Sequence, residues 1–348
     1  MIRSLALLPL TFGLAVLLTG IFRRYALARE LLDIPNARSS HQIATPRGGG
    51  VAIILATLIA FTIAAMLGDF SWRFAIAAVG GGTLVAVIGF RDDLAHIAPR
   101  WRLAGHFLAA AWLLWWIPSL PALPLLDGEI ALGPIGYLIA ALYTVWLINL
   151  TNFMDGIDGI ASVEVITVTI GGVMLQMVGG PDDSRWVAPL ILGAATLGFL
   201  VWNWPPARIF MGDAGSGFLG FMLALLSLDV STQTPELYWA WVILLGVFIV
   251  DATTTLTRRL RRRQSPAEAH RSHAYQHAAI RYRSHRAVVL TVAALNLLFL
   301  LPVALLVATG RLAGPIGVLV AYAPLTALAL RLGAGGDQPP ARRSPQGG

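Results

Sequence analysis

The chain contains no cysteine and no lysine, and only 12% of its 348 residues carry charge. Without cysteine, disulfides and thiolate metal sites are excluded, and cysteine usage says nothing about redox compartment. Without lysine, all 25 basic residues are arginine, so arginine must carry any anion binding. So little charge cannot cover the surface of a soluble protein of this length. Hydrophobic residues make up 57% of the chain and fall in blocks of the length that crosses hydrocarbon, about 20 residues per helix. Blocks of that length read as helices, which satisfy their own backbone in lipid. The expected fold is all-α, a polytopic membrane helical bundle.

Eleven spans fit the hydropathy, with ten as the lower count: 4–22, 48–67, 72–90, 103–117, 131–150, 159–178, 187–204, 214–230, 237–256, 287–308 and 314–332. The first block is followed by Arg23 and Arg24 rather than by a small-residue cleavage pattern, so it reads as a retained span. Threading the spans gives one set of loops with 21 arginines and an opposite set with only Arg3, Arg73, Arg185 and Arg311. The positive-inside rule then puts the N-terminus in the periplasm and the C-terminus in the cytoplasm. Residues 1–332 form one integral-membrane domain, and 333–348, rich in Gly, Pro and Arg, read as a disordered cytoplasmic tail. The net charge of +7 gathers on one membrane face, so the expected partner is the lipid bilayer and not nucleic acid. No internal repeat is visible, which argues against transporters built on inverted repeats.

Five polar segments on the arginine-rich side carry more than connector chemistry. The first runs from Asp33 through Arg38 and His41 to Arg47-Gly48-Gly49-Gly50. Glycines opening a helix let backbone approach a phosphate, which the helix N-terminus favours; close helix packing is the competing explanation. The second, Arg91-Asp92-Asp93, ends the third span. Adjacent carboxylates suit Mg2+, or one ligand plus one base, with a solvated helix end paired to Arg91 as the plain alternative. The third, Asn152-Phe-Met-Asp155-Gly-Ile-Asp158-Gly159, puts two carboxylates between apolar blocks, where each costs at least ~2.5–3.5 kcal/mol unless hydrated or paired. Their spacing lets Asp155 and Asp158 share a face, so a cation or polar ligand is expected.

The fourth segment, Asn203-Trp-Pro-Pro-Ala-Arg208-Ile-Phe210-Met-Gly212-Asp213-Ala-Gly-Ser216-Gly217, opens the eighth span. Asp213 can hold a metal there while the glycine-rich turn receives phosphate oxygens, or it can simply cap the helix. The fifth is the arginine-rich loop with His270-Arg271-Ser-His273-Ala-Tyr275-Gln-His277. On a helix its three histidines would share a face, but the surrounding arginines repel cations and favour an anion. Arg258 to Arg263 mark an anionic membrane surface, and Asp251 is placed to pair with them.

These segments, in this order from about residue 30 to 286, resemble the polyprenyl-phosphate N-acetylhexosamine-1-phosphate transferases. The motifs NxxDGxDG at 152–159 and FMGDxGS at 210–216 carry most of the likeness. The resemblance implies transfer of a sugar 1-phosphate from a UDP-N-acetylhexosamine donor to undecaprenyl phosphate, with release of UMP, at the cytoplasmic face of a bacterial inner membrane. It implies Mg2+, or Mn2+ in its place, and is compatible with a homodimer. Asp213 looks like the principal metal ligand, with Asp92 and Asp93 as an acidic pair tied to metal and to the lipid phosphate. Asn152, Asp155, Asp158, Asn203 and Phe210 match nucleotide- and diphosphate-binding positions. Arg102, Arg271, His273 and His270 match phosphate- and sugar-binding ones. The HRSHAYQH form of the last loop resembles the branch that initiates O-antigen with N-acetylhexosamines or their 6-deoxy forms.

Bottom-up, phosphoryl transfer needs mostly positioning and charge neutralisation. A lipid phosphate, with a second pKa near ~6, is already largely dianionic. Asp92 and Asp93 are therefore expected to matter for geometry and metal more than as strong bases. An ion-coupled transporter would want acids near the bilayer midplane. A CDP-alcohol phosphatidyltransferase would continue DGxxAR after Asp155-Gly156, where this chain has Ile-Asp-Gly-Ile-Ala.

Overall fold

The structure is a computed structural model and describes residues 5–33, 44–95, 97–117, 119–126, 128–180, 185–265 and 270–336. Every apolar block is helical. The order is α1 (Leu7–Ala28), α2 (Gly50–Met66), α3 (Trp72–Leu94), α4 (Pro99–Trp116), α5 (Gly133–Met154), α6 (Ile160–Gly179), α7 (Val187–Asn203) and α8 (Asp213–Ser231). Then come α9 (Glu236–Leu244), α10 (Gly246–Arg261), the short α11 (Ala274–Tyr282), and α12 (His285–Ala294). A π-helical turn (Leu295–Leu300) leads into α13 (Leu301–Ala308), and α14 (Gly314–Arg331) follows. Two small antiparallel ribbons join loops: β1 (Leu32–Asp33) with β2 (Thr45–Pro46), and β3 (Leu123–Pro124) with β4 (Glu129–Ile130).

Among the described residues, seven helical stretches are long and apolar enough to cross a bilayer, or eight when α9 and α10 count as one span bent by 71°. Helices α2 and α7 are apolar but shorter, and α4 spends its first turn on Arg100 and Arg102. The expected eleven spans are thus not confirmed: among the described residues seven to eight span by length and composition.

Helix α8 lies at the centre, buried along nearly its whole length and packed chiefly on α3 and α5. Small residues make this possible, because helices in lipid associate through close packing. A Cβ on Gly89 of α3 would stand 2.6 Å from the Ala214 backbone, and one on Gly215 would stand 2.6 Å from Gly50 Cα in α2. Buried hydroxyls are satisfied locally: Thr144, Thr151 and Thr196 each donate to the carbonyl four residues back at 2.8 Å. Glu164 lies one turn inside α6. It is fully buried in α6, and Asn296 of the π-helical turn donates to it at 2.7 Å.

The tail expected from Gly333 does not begin there. Ala334 is fully buried and accepts a hydrogen bond from Arg258, while the Gly335 N–H donates to the Ser272 carbonyl at 2.7 Å. Residues 333–336 therefore belong to the fold. The rest of that stretch, 337–348, lies outside the described residues, as do Arg38 and His41 of the first polar segment.

Candidate active site

The site forms where α3 and α5 end and α8 begins. Successive helical residues point about 100° apart, so Asp92 and Asp93 separate although they are adjacent. Asp92, buried, turns to α4: it accepts the Ile97 N–H at 2.8 Å and the Arg102 guanidinium at 2.6 Å. Asp93 turns to α8 and accepts the N–H groups of Asp213 and Ala214 at 3.2 and 3.3 Å. Its own carbonyl accepts from Arg47. Gly212, at φ +81°, makes the turn into α8, where a Cβ would press on the Asp93 carboxylate at 2.8 Å.

This corrects two expectations. The start of α8 does not offer its first N–H groups to a phosphate, because Asp93 caps it and the N–H groups of Gly215 and Ser216 bond back to Gly212. Gly49 and Gly50 likewise donate to the Phe210 and Met211 carbonyls at 2.9 Å. Both glycine stretches serve close backbone packing. The acidic pair is also divided, with Asp93 spent on the helix and Asp92 left beside Arg102.

Asp213 keeps a partly open carboxylate, 37% exposed, with Arg102 at 3.7 Å. The Asn152 side chain lies beside this carboxylate, and its Nδ2 donates to Ser216 Oγ at 3.1 Å. Asp155 follows the last turn of α5. Burial pushes its carboxyl well above the usual carboxylate range, and the charges of Asp213, Asp158 and Asp93 push the same way. The carboxylate of Asp155 makes no hydrogen bond or ion pair among the described residues. Asp158 differs. It accepts the Ala207 N–H at 3.1 Å and pairs with His285 Nδ1 at 3.2 Å.

Asn203, expected at the nucleoside, is 3% exposed and spends both ends of its amide on backbone. Its Oδ1 accepts the Gly159 N–H at 2.9 Å and its Nδ2 donates to the Ile209 carbonyl at 3.0 Å. It clips the Asp155–Gly159 loop to the segment carrying Phe210 and offers no group of its own outward. Phe210 is half-buried and its N–H donates to the Pro46 carbonyl at 2.8 Å.

The histidine loop departs from the expected single helical face. Helix α11 starts only at Ala274, so His270 precedes it and stacks on His273 at 5.0 Å, which stacks on Tyr275 at 5.7 Å. His277 points elsewhere, with Nδ1 at 3.0 Å from the Leu332 carbonyl. Burial, with neighbouring His273 and the Arg259 guanidinium, holds His270 down to about 4, so its ring is neutral at pH 7. Arg271 is half-buried near Tyr275. Asp251 does not serve the arginine run. Its carboxylate accepts the N–H groups of Ala274 and Tyr275 at 2.9 and 3.0 Å and faces His273 Nδ1 at 3.3 Å, capping α11. The Tyr275 hydroxyl donates to the Phe153 carbonyl at 3.0 Å, tying this loop to the Asp155 turn.

Sequence reading therefore missed Asp251 as a cap, His285 as the partner of Asp158, and Tyr275 as a tie between loops. Each is a contact between distant segments with no local signal. His106 was missed as well: it is buried four residues beyond Arg102, a helical interval that could have shown it.

Among the described residues, no three His, Asp or Glu side chains close into a ready metal cage. The expected ligand set of Asp213, Asp92 and Asp93 is thus not assembled, since Asp93 caps α8. The donors still fit a hard divalent cation, because Asp155 and Asp213 are oxygen ligands whose mutual repulsion is offset by no ion pair at Asp155.

Residues 75–231 match the family model for glycosyl transferase family 4. The chain is 30% identical over 314 residues to the undecaprenyl-phosphate alpha-N-acetylglucosaminyl 1-phosphate transferase of Yersinia pestis, covering 84% of this chain and 81% of that one. It is 29% identical over 326 residues to the decaprenyl-phosphate N-acetylglucosaminephosphotransferase of Mycolicibacterium smegmatis, covering 84% and 79%. It is 31% identical over 260 residues to the phospho-N-acetylmuramoyl-pentapeptide-transferase of Symbiobacterium thermophilum, covering 69% and 75%. With the acidic helix ends held together as described, the chain belongs to glycosyl transferase family 4, among the polyprenyl-phosphate N-acetylhexosamine-1-phosphate transferases.

Proposed function

We propose that the chain transfers an N-acetylhexosamine 1-phosphate from a UDP-sugar to undecaprenyl phosphate, releasing UMP and leaving a polyprenyl-diphosphate sugar. The observation that carries this reading is the meeting of Asp213, Asp155, Asn152 and Arg102 at the end of a membrane bundle. There a soluble donor and a lipid acceptor can reach the same atoms. The 21-to-4 distribution of arginine supports the cytoplasmic face as the reaction surface.

Each group has a task that its surroundings suit. Arg102, always charged, holds Asp92 and Asp213 in place and can give its remaining N–H groups to a phosphate. Mg2+ ordinarily takes one or two carboxylates and completes its shell with water and substrate phosphates. Asp213 and Asp155 would hold it, and it would supply charge neutralisation on the transferring phosphoryl group. Asp93 and Asn203 keep α8 and the Asp155–Gly159 loop in register. Phe210 is the aromatic face for the uracil, and Asp158 stands beside His285 on the nucleotide side. His270, His273 and Arg271 form the sugar side, where the HRSHAYQH form favours an O-antigen-type donor, including 6-deoxy sugars. The relatives act on both N-acetylglucosamine and N-acetylmuramoyl-pentapeptide donors by name, so the donor must be found by assay.

The test is UMP release by purified protein given undecaprenyl phosphate, Mg2+ and a panel of UDP-N-acetylhexosamines. Release with one or more donors, lost in Asp213→Asn, is expected. No release with any donor would overturn the proposal.

A further inference from the structure

A small cavity of about 10 Å3 opens between α3, α4, α5 and the start of α8, lined by Arg102, His106, Asn149, Asn152 and Asp213 among others. That is room for one oxygen atom. Arg102, Asn152 and Asp213 have tasks in the proposed reaction or beside it; His106 and Asn149 have none so far.

The hydrogen bonds around His106 fix its proton without reference to pH. Asn149 Nδ2 donates to the Val145 carbonyl at 2.7 Å, and a carbonyl can only accept, so the amide nitrogen is correctly placed there. The second proton of the same NH2 group faces His106 Nδ1 at 3.1 Å. Nδ1 must therefore be the acceptor and the ring proton must sit on Nε2. A charged ring would set two N–H groups against each other at Nδ1, and Arg102 one turn away already supplies a cation. Nε2–H finds no acceptor among the described residues, and its nitrogen is not sealed within the protein, so it is available to a group that enters the cavity His106 lines.

We infer that His106 is a substrate-contacting residue: a neutral imidazole, locked by Asn149, whose Nε2–H donates to a phosphoryl oxygen seated between Arg102 and Asp213. The inference rests on the transferase reading above. The oxygen belongs either to the polyprenyl phosphate or to the donor diphosphate, which share this chemistry. A neutral donor is useful there because it adds a directed hydrogen bond without a second fixed positive charge competing for Asp92 and Asp213.

Two measurements test it. The first needs no turnover. With 15N-labelled histidine, the His106 ring is identified by its loss in His106→Gln. It should appear as the neutral Nε2–H tautomer, and its Nε2–H resonance should move on adding UDP or undecaprenyl phosphate. A ring protonated at Nδ1, or a resonance that neither ligand moves, overturns the inference even if the protein is an active transferase. The second is kinetic. His106→Phe should lower kcat/KM by about 10–100-fold, the scale for losing one hydrogen bond to a charged group, while His106→Gln, which keeps an N–H, should recover most of it. A rise in KM for undecaprenyl phosphate alone assigns the oxygen to the lipid, and a rise for the UDP-sugar alone assigns it to the donor. Wild-type values in His106→Phe, or equal damage in both variants at unchanged thermal midpoints, refute it. Absence of UMP release by the wild type would instead remove the transferase reading and leave the first measurement to decide the tautomer and the ligand contact.

Discussion

Replacing Asp251 with alanine should undock the histidine loop while leaving the bundle folded. The carboxylate accepts two backbone N–H groups, from Ala274 at 2.9 Å and Tyr275 at 3.0 Å, through different oxygens. Both residues are about 5% exposed or less, so water cannot take over. Each stranded donor costs roughly 1–3 kcal/mol, which makes the local loss about 2–6 kcal/mol before relaxation. The loss of contacts to Thr255 and His273 adds to it. Such a loss is comparable to the free energy of a local opening and smaller than what a large buried core provides. Amide hydrogen exchange in detergent or nanodiscs should show lost protection across 274–282, with α3, α5 and α8 unchanged. UMP release should fall, because Tyr275 would no longer brace the Asp155 turn through Phe153. Asp251→Asn, which keeps one oxygen acceptor, should lie between. Unchanged protection at 274–278 in the alanine variant would refute the capping role and the route from α10 to the Asp155 turn.

Arg102→Gln should reduce kcat/KM by on the order of 10²-fold, as loss of a charged donor at a phosphate site does. Arg102→Lys should restore part of this, since lysine supplies the charge without the fork; equal activity of all three proteins would remove Arg102 from the site. Asp155→Asn should raise the apparent melting midpoint of the metal-free protein at pH 8. The folded-state carboxyl binds its proton more tightly than an ordinary aspartate, so wild-type stability is full below the ordinary aspartate range and is lost as pH rises through the raised folded value. The difference should vanish in acid, and Mg2+ should stabilise the wild type more than the variant; a midpoint gap independent of pH would count against this. Gly89→Ala should cost about 1–3 kcal/mol through overpacking, because its methyl meets the Ala214 backbone at 2.6 Å and backbone cannot yield. A detergent-solubilised midpoint equal to wild type would contradict it.

The sequence shows the helices because their signal is one-dimensional: twenty apolar residues need no partner to be recognised. The bend at Leu245-Gly246 was invisible, since a continuous apolar run reads the same whether straight or broken by 71°. Gly246 fits the elbow because a Cβ there would press on Tyr322, Leu300 and Leu325 at 3.1–3.3 Å, contacts made across the fold. The site residues were legible as types and in order, yet not in their pairings. NxxDGxDG points to Asn152 and Asp155 as candidates; nothing in it shows that Asn203 holds Gly159 in place. The glycines of 48–50 and 212–217 looked alike to both readings, phosphate cradle and helix packing. Only the donors of Gly49, Gly50, Gly215 and Ser216, all spent on carbonyls, decide for packing.

Asp92 and Asp93 show what adjacency hides. On one helix end they look like a two-oxygen claw, but the helical turn sends one to Arg102 and the other to the start of α8. What remains is Asp92, Asp155 and Asp213 with Arg102 paired to the first and last of them, a local excess of carboxylate. A nucleoside diphosphate and a lipid phosphate would each bring more negative charge to the same place. Arg102 cannot neutralise both its carboxylates and the incoming phosphates, even at the short distances found. On the proposed reaction, binding therefore requires a cation that arrives with the diphosphate. An acidic cluster left short of a metal cage, with Asp155 unpaired and repelled by its neighbours, is the arrangement that makes such binding favourable only when cation and phosphate come together.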